Sequence, residues 1–251
     1  MQQLSGQTAL VTGASRGLGK GIALVLAENG ADVVVNYHAN TQEAEAVHAA
    51  IEALGRRCLV VKADVADADD VKAMFTAIDQ QFGHLDILVN NAGTSRSEDI
   101  FTMTEDSWDF ILDTNLKSMF LCAQAAMFRM RERRYGRIIN ISSVVGQQGA
   151  LFGHVHYAAT KSAILGFTKT LARTGAPLGI TVNAIAPGVI RTELLFQTHG
   201  DAGVKKLADG IPLGLGEPRD VGLAAAFLAG EGGRYLTGIC LDVNGGLYMR
   251  S

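Results

Sequence analysis

From residue 8 to residue 243, short apolar runs alternate with segments of helical periodicity, and no Pro/Ser-rich linker, repeat or low-complexity tract breaks the alternation. A helix between two strands carries the chain back to the end of the sheet where the first strand began, so consecutive strands lie parallel. The predicted fold class is therefore α/β, a single doubly wound parallel sheet with helices on both faces. With 251 residues, the whole of 1–251 reads as one domain with a sizeable core. Ligands of such sheets bind outside the carboxyl ends of the strands, and Gly13, Asn36, Asp64, Asn90, Ser143 and Pro187 all fall there.

The first unit is the most informative. An apolar strand ending at Thr12 runs into Gly13-Ala-Ser-Arg-Gly17-Leu-Gly19, after which Leu18, Ile22, Val25 and Leu26 keep helical spacing. Strand, glycine turn and helix open a Rossmann fold: glycines let the backbone approach a pyrophosphate, and the helix N-terminus offers unpaired N–H groups and a positive dipole end. The spacing is G-x-x-x-G-x-G, not the G-x-G-x-x-G of the commonest dinucleotide fingerprint. The second strand, 31–36, ends at Asn36, where an acidic residue would accept bonds from an adenosine ribose and repel a 2′-phosphate. Asp32 opens that strand and, at roughly 3.3 Å per residue, lies more than ~10 Å from its carboxyl edge. With Arg16 in the turn to meet a phosphate, NADPH is favoured over NADH.

Further strands are read at 57–62, 85–89, within 136–143, at 180–185 and at 239–243. Helices are read at 43–54, 71–82, 104–134, from Tyr157 to about 174, and at 218–228. Asn90 and Asn91 close the fourth strand, where amides bond neighbouring loops, and small Ala92 and Gly93 let a flat ring approach. The polar, glycine-dotted stretch from Pro187-Gly188 to Gly216 receives no regular element. Asn115 falls mid-helix, where an amide is disfavoured and wants a partner. The end of that helix carries Arg129, Arg131, Arg133 and Arg134, with Arg137 beyond. The cluster is read as a solvated helix end favoured by the dipole, with an anion-binding patch as the alternative.

Tyr157-Ala-Ala-Thr-Lys161 places a phenol and an ammonium on one helix face. A free phenol, with a pKa near ~10, is a poor base and a sluggish acid at neutral pH. A positive charge ~4 Å away at an effective dielectric of ~20 favours the phenolate by roughly 4 kcal/mol, enough to bring the phenol toward about 7. His154 and His156 alternate beside this pair, and without a second cluster of ligands no metal is expected. A net charge of -3 and a pI near 6.1 supply no reason for nucleic acid or an anionic membrane as partner. Met1-Gln-Gln-Leu-Ser-Gly has neither a basic nor an apolar leader segment, and no apolar run approaches ~18 residues. Cys58, Cys122 and Cys240 are widely separated and read as reduced packing residues, which points to a cytoplasmic protein.

Together, Thr12-Gly13-x-x-x-Gly17-x-Gly19, Asn90-Asn91-Ala92-Gly93, Asn115, Ser143, Tyr157-x-x-x-Lys161 and Pro187-Gly188 resemble the short-chain dehydrogenase/reductase family over nearly the whole chain. The resemblance implies a catalytic set of Asn115, Ser143, Tyr157 and Lys161. The Ser143 and Tyr157 hydroxyls would hold a carbonyl while a nicotinamide delivers hydride, Tyr157 acting as general acid in reduction or base in oxidation. Lys161 would lower the Tyr157 pKa and bond the nicotinamide ribose, and Asn115 would anchor a water linking Lys161 to solvent. Ser142 is the rival for the hydroxyl role, and Ser143 is preferred by its spacing from Tyr157. Cofactor contacts would come from Gly13, Ser15, Arg16, Gly17, Leu18, Gly19, Asn36, Asn90, Ala92, Gly93, Tyr157, Lys161, Pro187 and Gly188. Asp64 and Val65 would lie at the adenine, and Ile190 and Thr192 at the carboxamide. Residues from about 191 to 216 would form a substrate lid.

Within the family the chain looks most like the bacterial 3-oxoacyl-[acyl-carrier-protein] reductases, which implies an acyl-thioester substrate and docking of acyl carrier protein through two arginines. Arg134 matches the first, but Leu178 occupies the second position. The alternative is a polyol, sugar or small-ketone dehydrogenase of the same family. A non-catalytic nucleotide-binding sensor is disfavoured because the hydroxyls and lysine are all present, and a sugar-nucleotide epimerase because its glycine spacing would differ. The resemblance also implies a homotetramer. Ala123, Ala125, Ala126, Ala158, Ala159 and Ala163 would allow close helix approach, between copies or within one core.

Overall fold

The computed structural model describes residues 3–150 and 153–250. Met1 and Gln2 of the stretch read above for a leader, Leu151, Phe152 and Ser251 lie outside the described residues. The strands are β1 Thr8–Val11, β2 Asp32–Tyr37, β3 Cys58–Lys62, β4 Ile87–Asn90, β5 Gly136–Ile141, β6 Ile180–Pro187 and β7 Cys240–Val243. They form one 7-stranded sheet in the order β3-β2-β1-β4-β5-β6-β7, and every pairing is parallel. The winding direction reverses between β1 and β4, which opens a crevice at their carboxyl ends.

The helices are α1 Gly17–Glu28, α2 Thr41–Ala53, α3 Ala68–Phe82, α4 Glu105–Leu112, α5 Ser118–Arg133, the short α6 Val145–Gln148, α7 Val155–Gly175, α8 Glu193–Asp209 and α9 Pro218–Ala229. Central strands covered on both faces read as unbroken apolar runs, and their alternate residues feed two cores. Ala9, Val11, Val33, Val35, Ile87 and Val89 pack with Ile22 and Leu26 of α1, Val47 and Ile51 of α2, and Ala225 and Leu228 of α9. Leu10, Val34 and Leu88 pack with Met74, Phe75 and Ile78 of α3 and with Cys122, Ala126 and Met130 of α5. Helix α3 shows how locally this is written. Asp67 caps it by accepting from the backbone N–H groups of Asp69 and Asp70, Val71, Met74, Phe75 and Ile78 recur on one stripe, and Gly83 ends it in the left-handed region. Full burial of each such side chain contributes roughly 1.5–3 kcal/mol.

The structure departs from the sequence reading in three elements, the smallest being α6, in a stretch between β5 and the Tyr157 helix with no predicted element. The helix expected over 104–134 is interrupted by a π-helical turn, Asp113–Lys117, that separates α4 from α5 and contains Asn115. The stretch given no regular element holds α8, capped by the Thr192 side chain and kinked at Gly200. The remaining boundaries move by a few residues, the one of consequence being β2, which continues past Asn36 to Tyr37. Among the described residues no helix is long and apolar enough to cross a membrane.

Candidate active site

The glycine turn is held from three sides. Gly13 and Gly17 take positive φ angles of 63° and 53°. The Thr12 hydroxyl accepts from the backbone N–H groups of Asn91 (3.0 Å) and Ala92 (2.9 Å), and Asn91 Nδ2 donates to the carbonyls of Thr12 (2.8 Å) and Gly13 (3.2 Å). The amides read as tying a strand end to its neighbouring loop include the one that locks the turn. A Cβ on Gly19 would stand 2.3 Å from the Gly13 carbonyl oxygen and 2.5 Å from Asn91 Nδ2, so only glycine fits there. Helix α1 then begins with no side-chain cap and no acidic residue in its first turn. Its unpartnered N–H groups and dipole face the crevice mouth, with Ser15, Gly17 and Leu18 half-buried and Arg16 exposed at the rim. These residues fit a dinucleotide pyrophosphate.

Asn36 is a correction. It is 1% exposed, its Oδ1 accepts from the Gly13 N–H (3.1 Å), and its Nδ2 donates to the carbonyls of Val61 (3.4 Å) and Ala63 (3.1 Å). An amide with every strong site committed inside the protein splints the glycine turn and presents nothing to a ribose. The groups beyond it at this strand end are Tyr37 and the exposed His38. Asp32 is buried against Arg57 (2.7 Å) and Arg56 (3.5 Å), at the strand's opposite end. Asp64 accepts from the Ala66 N–H (2.9 Å), and Val65 packs into the second core with 7% exposure. Asn90 also turns inward, its Nδ2 bonding Asn140 Oδ1 (2.9 Å), whose own Nδ2 reaches Thr168 (3.0 Å), so only its main chain faces the crevice.

Asn115 has the partner its position calls for. Its Oδ1 accepts from the Thr94 N–H (2.7 Å), and its Nδ2 donates to the Thr94 carbonyl (2.9 Å) and toward the Thr160 hydroxyl (3.3 Å). The π turn swings this amide off the α-helical ladder and into the loop after β4, a use of π turns recurrent at functional sites. With its bonds committed, the amide itself has little left to hold a relay water. Thr94 and Thr160 were not legible as site residues, because a lone threonine carries no spacing signal.

The serines separate by geometry. Ser142 is 3% exposed and its hydroxyl donates to the Lys161 carbonyl (2.7 Å), whereas the Ser143 hydroxyl accepts from the Val145 N–H (3.2 Å) and its side chain acts on the Tyr157 phenol. The Tyr157 side chain is half-buried at the crevice. Burial pushes its phenol above the ordinary value, against a smaller downward pull from the Ser143 side chain. The lowering expected from Lys161 is absent. The Lys161 Nζ lies 5.6 Å from the phenol ring centroid and donates to the Ile141 carbonyl (2.9 Å), and its own pKa is lowered by burial from 10.5 to about 8. Desolvation of both groups, which a pairwise charge count leaves out, is the larger effect here.

Because the folded Lys161 value lies below the unfolded one, the unfolded chain holds the extra proton between about 8 and 10.5, and stability rises with pH through that window. Relative to Lys161→Met, the wild type is expected to gain unfolding free energy from about pH 8 to about pH 10 in urea titrations. A difference that stays flat across this range would show that the ammonium is not held in the low-pKa state.

At the other end of the crevice, the Val144 N–H donates to the Pro187 carbonyl (2.9 Å) and the Gly188 N–H to the Val243 carbonyl (2.9 Å). Ile190 pairs with Gly216 as an isolated parallel bridge, and Arg191 forms an ion pair with Glu217 (2.7 Å). Thr192, which caps α8, lies against Gly17, so the proposed lid starts beside the glycine turn. His154 Nδ1 lies 3.1 Å from the Ser95 hydroxyl, and among the described residues no group of 3 or more His, Cys, Asp or Glu side chains is arranged to hold a metal ion. The arginines at the end of α5 are largely paired: Arg129 with Asp79 (2.6 Å), Arg131 with Glu132 (3.0 Å) and Arg133 with Asp86 (2.8 Å). Arg134 donates to the Pro177 carbonyl (2.8 Å), and Leu178 packs against the second core. This favours the solvated helix end over a free anion patch. Cys58 and Cys122 are free thiols, each pushed up to about 12 chiefly by burial.

Residues 13–248 match the family described as Enoyl-(Acyl carrier protein) reductase. The chain is 47% identical over 244 residues to the 3-oxoacyl-[acyl-carrier-protein] reductase FabG of Staphylococcus aureus (strain Mu50), covering 97% of this chain and 98% of that protein. It is 44% identical over 247 residues to the protein of the same name from Vibrio cholerae serotype O1, covering 98% and 99%. A crystal structure from Sinorhizobium meliloti 1021, described as that of a short-chain alcohol dehydrogenase, superposes with a TM-score of 0.92 at 40% identity and 98% coverage of both chains.

Proposed function

The chain belongs to the short-chain dehydrogenase/reductase family, oxidoreductases that act on CH–OH groups with a nicotinamide cofactor, and on that premise we propose that it is an NADPH-dependent reductase of 3-oxoacyl thioesters. The observation that carries this reading is the neighbouring pair of hydroxyls, Ser143 and Tyr157, with the buried Lys161 one helical turn from the phenol. Two hydroxyls converging on one point suit a carbonyl oxygen that gains negative charge, whereas reduction of a C=C bond delivers its proton to carbon. When bound, the nicotinamide supplies the hydride. The α1 N-terminus and Arg16 would hold its phosphates, and Lys161 would face its ribose. Tyr157 donates its proton to the nascent alkoxide, and a phenol held above its ordinary pKa is in the protonated form that reduction requires. Ser143 shares the oxygen, and Asn115 keeps the loop at Thr94 in register with α7.

The names of the relatives and their identity over nearly the full chain support the 3-oxoacyl thioester as substrate. Leu178 as a packing residue and Arg134 bonded to Pro177 favour recognition of the acyl group over a two-arginine grip on the carrier. The proposed homotetramer would use the apolar groove of Leu112, Leu116, Phe120, Ala163 and Phe167, since Ala123 and Ala126 are consumed by the core while Ala159 and Ala163 remain exposed. A cytoplasmic location completes the proposal.

The test is initial-rate oxidation of NADPH and NADH against acetoacetyl and crotonyl thioesters, ketoses, diketones and aryl ketones, with wild type and Arg16→Ala. NADPH-linked turnover of the acetoacetyl thioester is expected, and Arg16→Ala should weaken NADPH about 10- to 100-fold while sparing NADH, as loss of a charge-assisted phosphate contact would. Turnover confined to ketoses or small ketones would overturn the substrate, and equal losses with both cofactors would overturn the role of Arg16.

A further inference from the structure

His156 stands next to Tyr157 in the chain and takes no part in the scheme above. It is 0% exposed. Its Nδ1 accepts from the Tyr157 backbone N–H (2.9 Å), while its Nε2 has no hydrogen-bond partner and lies 3.6 Å from Glu98 Oε2. Glu98 joins two further elements: its N–H donates to the Gly153 carbonyl (2.7 Å), and its Oε2 accepts from the Ser107 hydroxyl in the first turn of α4 (2.6 Å). We propose that His156 is a positioning residue, which caps the first turn of α7 so as to seat Tyr157 and clasps Glu98 so as to hold residues 94–98 beside the phenol. The inference rests on the reading of Tyr157 as proton donor.

The first N–H groups of a helix need acceptors from outside it, and His154, the N-cap of α7, supplies none from its side chain. The imidazole of His156 serves the Tyr157 N–H instead. An Nδ1 that accepts fixes the neutral ring with its proton on Nε2, and that N–H is directed to the Glu98 carboxylate. At 3.6 Å the contact is longer than a hydrogen bond and acts as a charge–dipole attraction between the ring N–H and the carboxylate. Asn115 already grips the other end of this segment at Thr94, so His156 and Asn115 tie both its ends to the helices that frame the reacting hydroxyls. Protonating the ring puts a hydrogen on Nδ1 facing the Tyr157 N–H and breaks the cap. Burial opposes that protonation, as do His154 and Arg96, while Glu98 favours it, and burial is the largest effect.

The test measures kcat, KM and their pH profiles for carbonyl reduction, with direct fluorescence titration of NADPH, in wild type, His156→Ala, His156→Asn and Glu98→Gln. In His156→Ala, kcat should fall about 10- to 100-fold with NADPH affinity unchanged, as expected for a misplaced acid. The Asn oxygen can accept the same N–H but falls short of Glu98. His156→Asn should therefore recover most of kcat, keep a raised KM and lose the acid limb that imidazole protonation imposes on the wild type. Glu98→Gln should raise KM alone, and it carries this arm if His156→Ala does not fold. Wild-type constants in His156→Ala, or no recovery in His156→Asn at equal Tm, would overturn the proposal. If the wild type reduces no carbonyl, the functional reading fails and hydrogen exchange decides the inference. Loss of amide protection across 94–103 and 155–160 in His156→Ala would support it, and unchanged protection would overturn it.

Discussion

Tyr157→Phe is expected to lower kcat for carbonyl reduction by about 10²- to 10⁴-fold, the range that general acid catalysis contributes, while NADPH affinity stays within about twofold of wild type. The ring is retained, so the contacts of α7 and the edge-on packing with His154 at 6.2 Å survive. What is lost is a proton that no neighbour can replace. The Ser143 hydroxyl is a far weaker acid, and the Lys161 ammonium is engaged by the Ile141 carbonyl. Because burial keeps the phenol protonated, the residual rate of the variant should track solvent proton activity more steeply than wild type does at neutral pH. Stopped-flow single turnovers with NADPH in excess would separate chemistry from release. A hydride step of undiminished rate would remove Tyr157 from the mechanism.

Gly19→Ala should abolish measurable cofactor binding and cost roughly 1–3 kcal/mol of stability, the usual range for overpacking. The added carbon would sit within 2.5 Å of the Gly13 carbonyl oxygen and of Asn91 Nδ2, and both belong to the lock that shapes the turn. Relief requires either breaking the Asn91 bonds or lifting α1 from the sheet. Either movement spoils the alignment of the unpartnered N–H groups. Fluorescence titration of NADPH beside thermal denaturation reads both effects, and ordinary affinity with an unchanged Tm would show that the turn is looser than its bonds imply.

The fold was legible because two periodicities carry it. Strands buried on both faces spell continuous apolar runs, and helices such as α3 spell a stripe. The interruptions were not legible. The π turn over Asp113–Lys117 carries no residue type of its own in the sequence, and only the mid-helix amide of Asn115 hinted at it. Helix α8 buries Val204 and little else, so its existence depends on the Thr192 cap and the tie between Ile190 and Gly216 rather than on its own pattern. Among the site residues, Asn36 was read from its place at a strand end, but where an amide points is decided by which neighbours need it. The Gly13 N–H and the Val61 and Ala63 carbonyls claim it. The direction of the Tyr157 shift was misread for a related reason, since pairwise charge can be counted along a chain while desolvation exists only once the chain has folded around the pair.

The contact between Ile190 and Gly216 has one more implication. The chain leaves at Ile190 and returns at Gly216, with Thr192 against Gly17 and the Leu213 N–H on the Gly245 carbonyl as further ties, so the segment from Arg191 to Leu215 is anchored near its two ends. A segment attached in this way can lengthen, shorten or be replaced outright without any strand changing register. On the proposed reading of this segment as the substrate lid, selection can rewrite what the enzyme accepts as if changing the key wards of a lock whose bolt stays where it is.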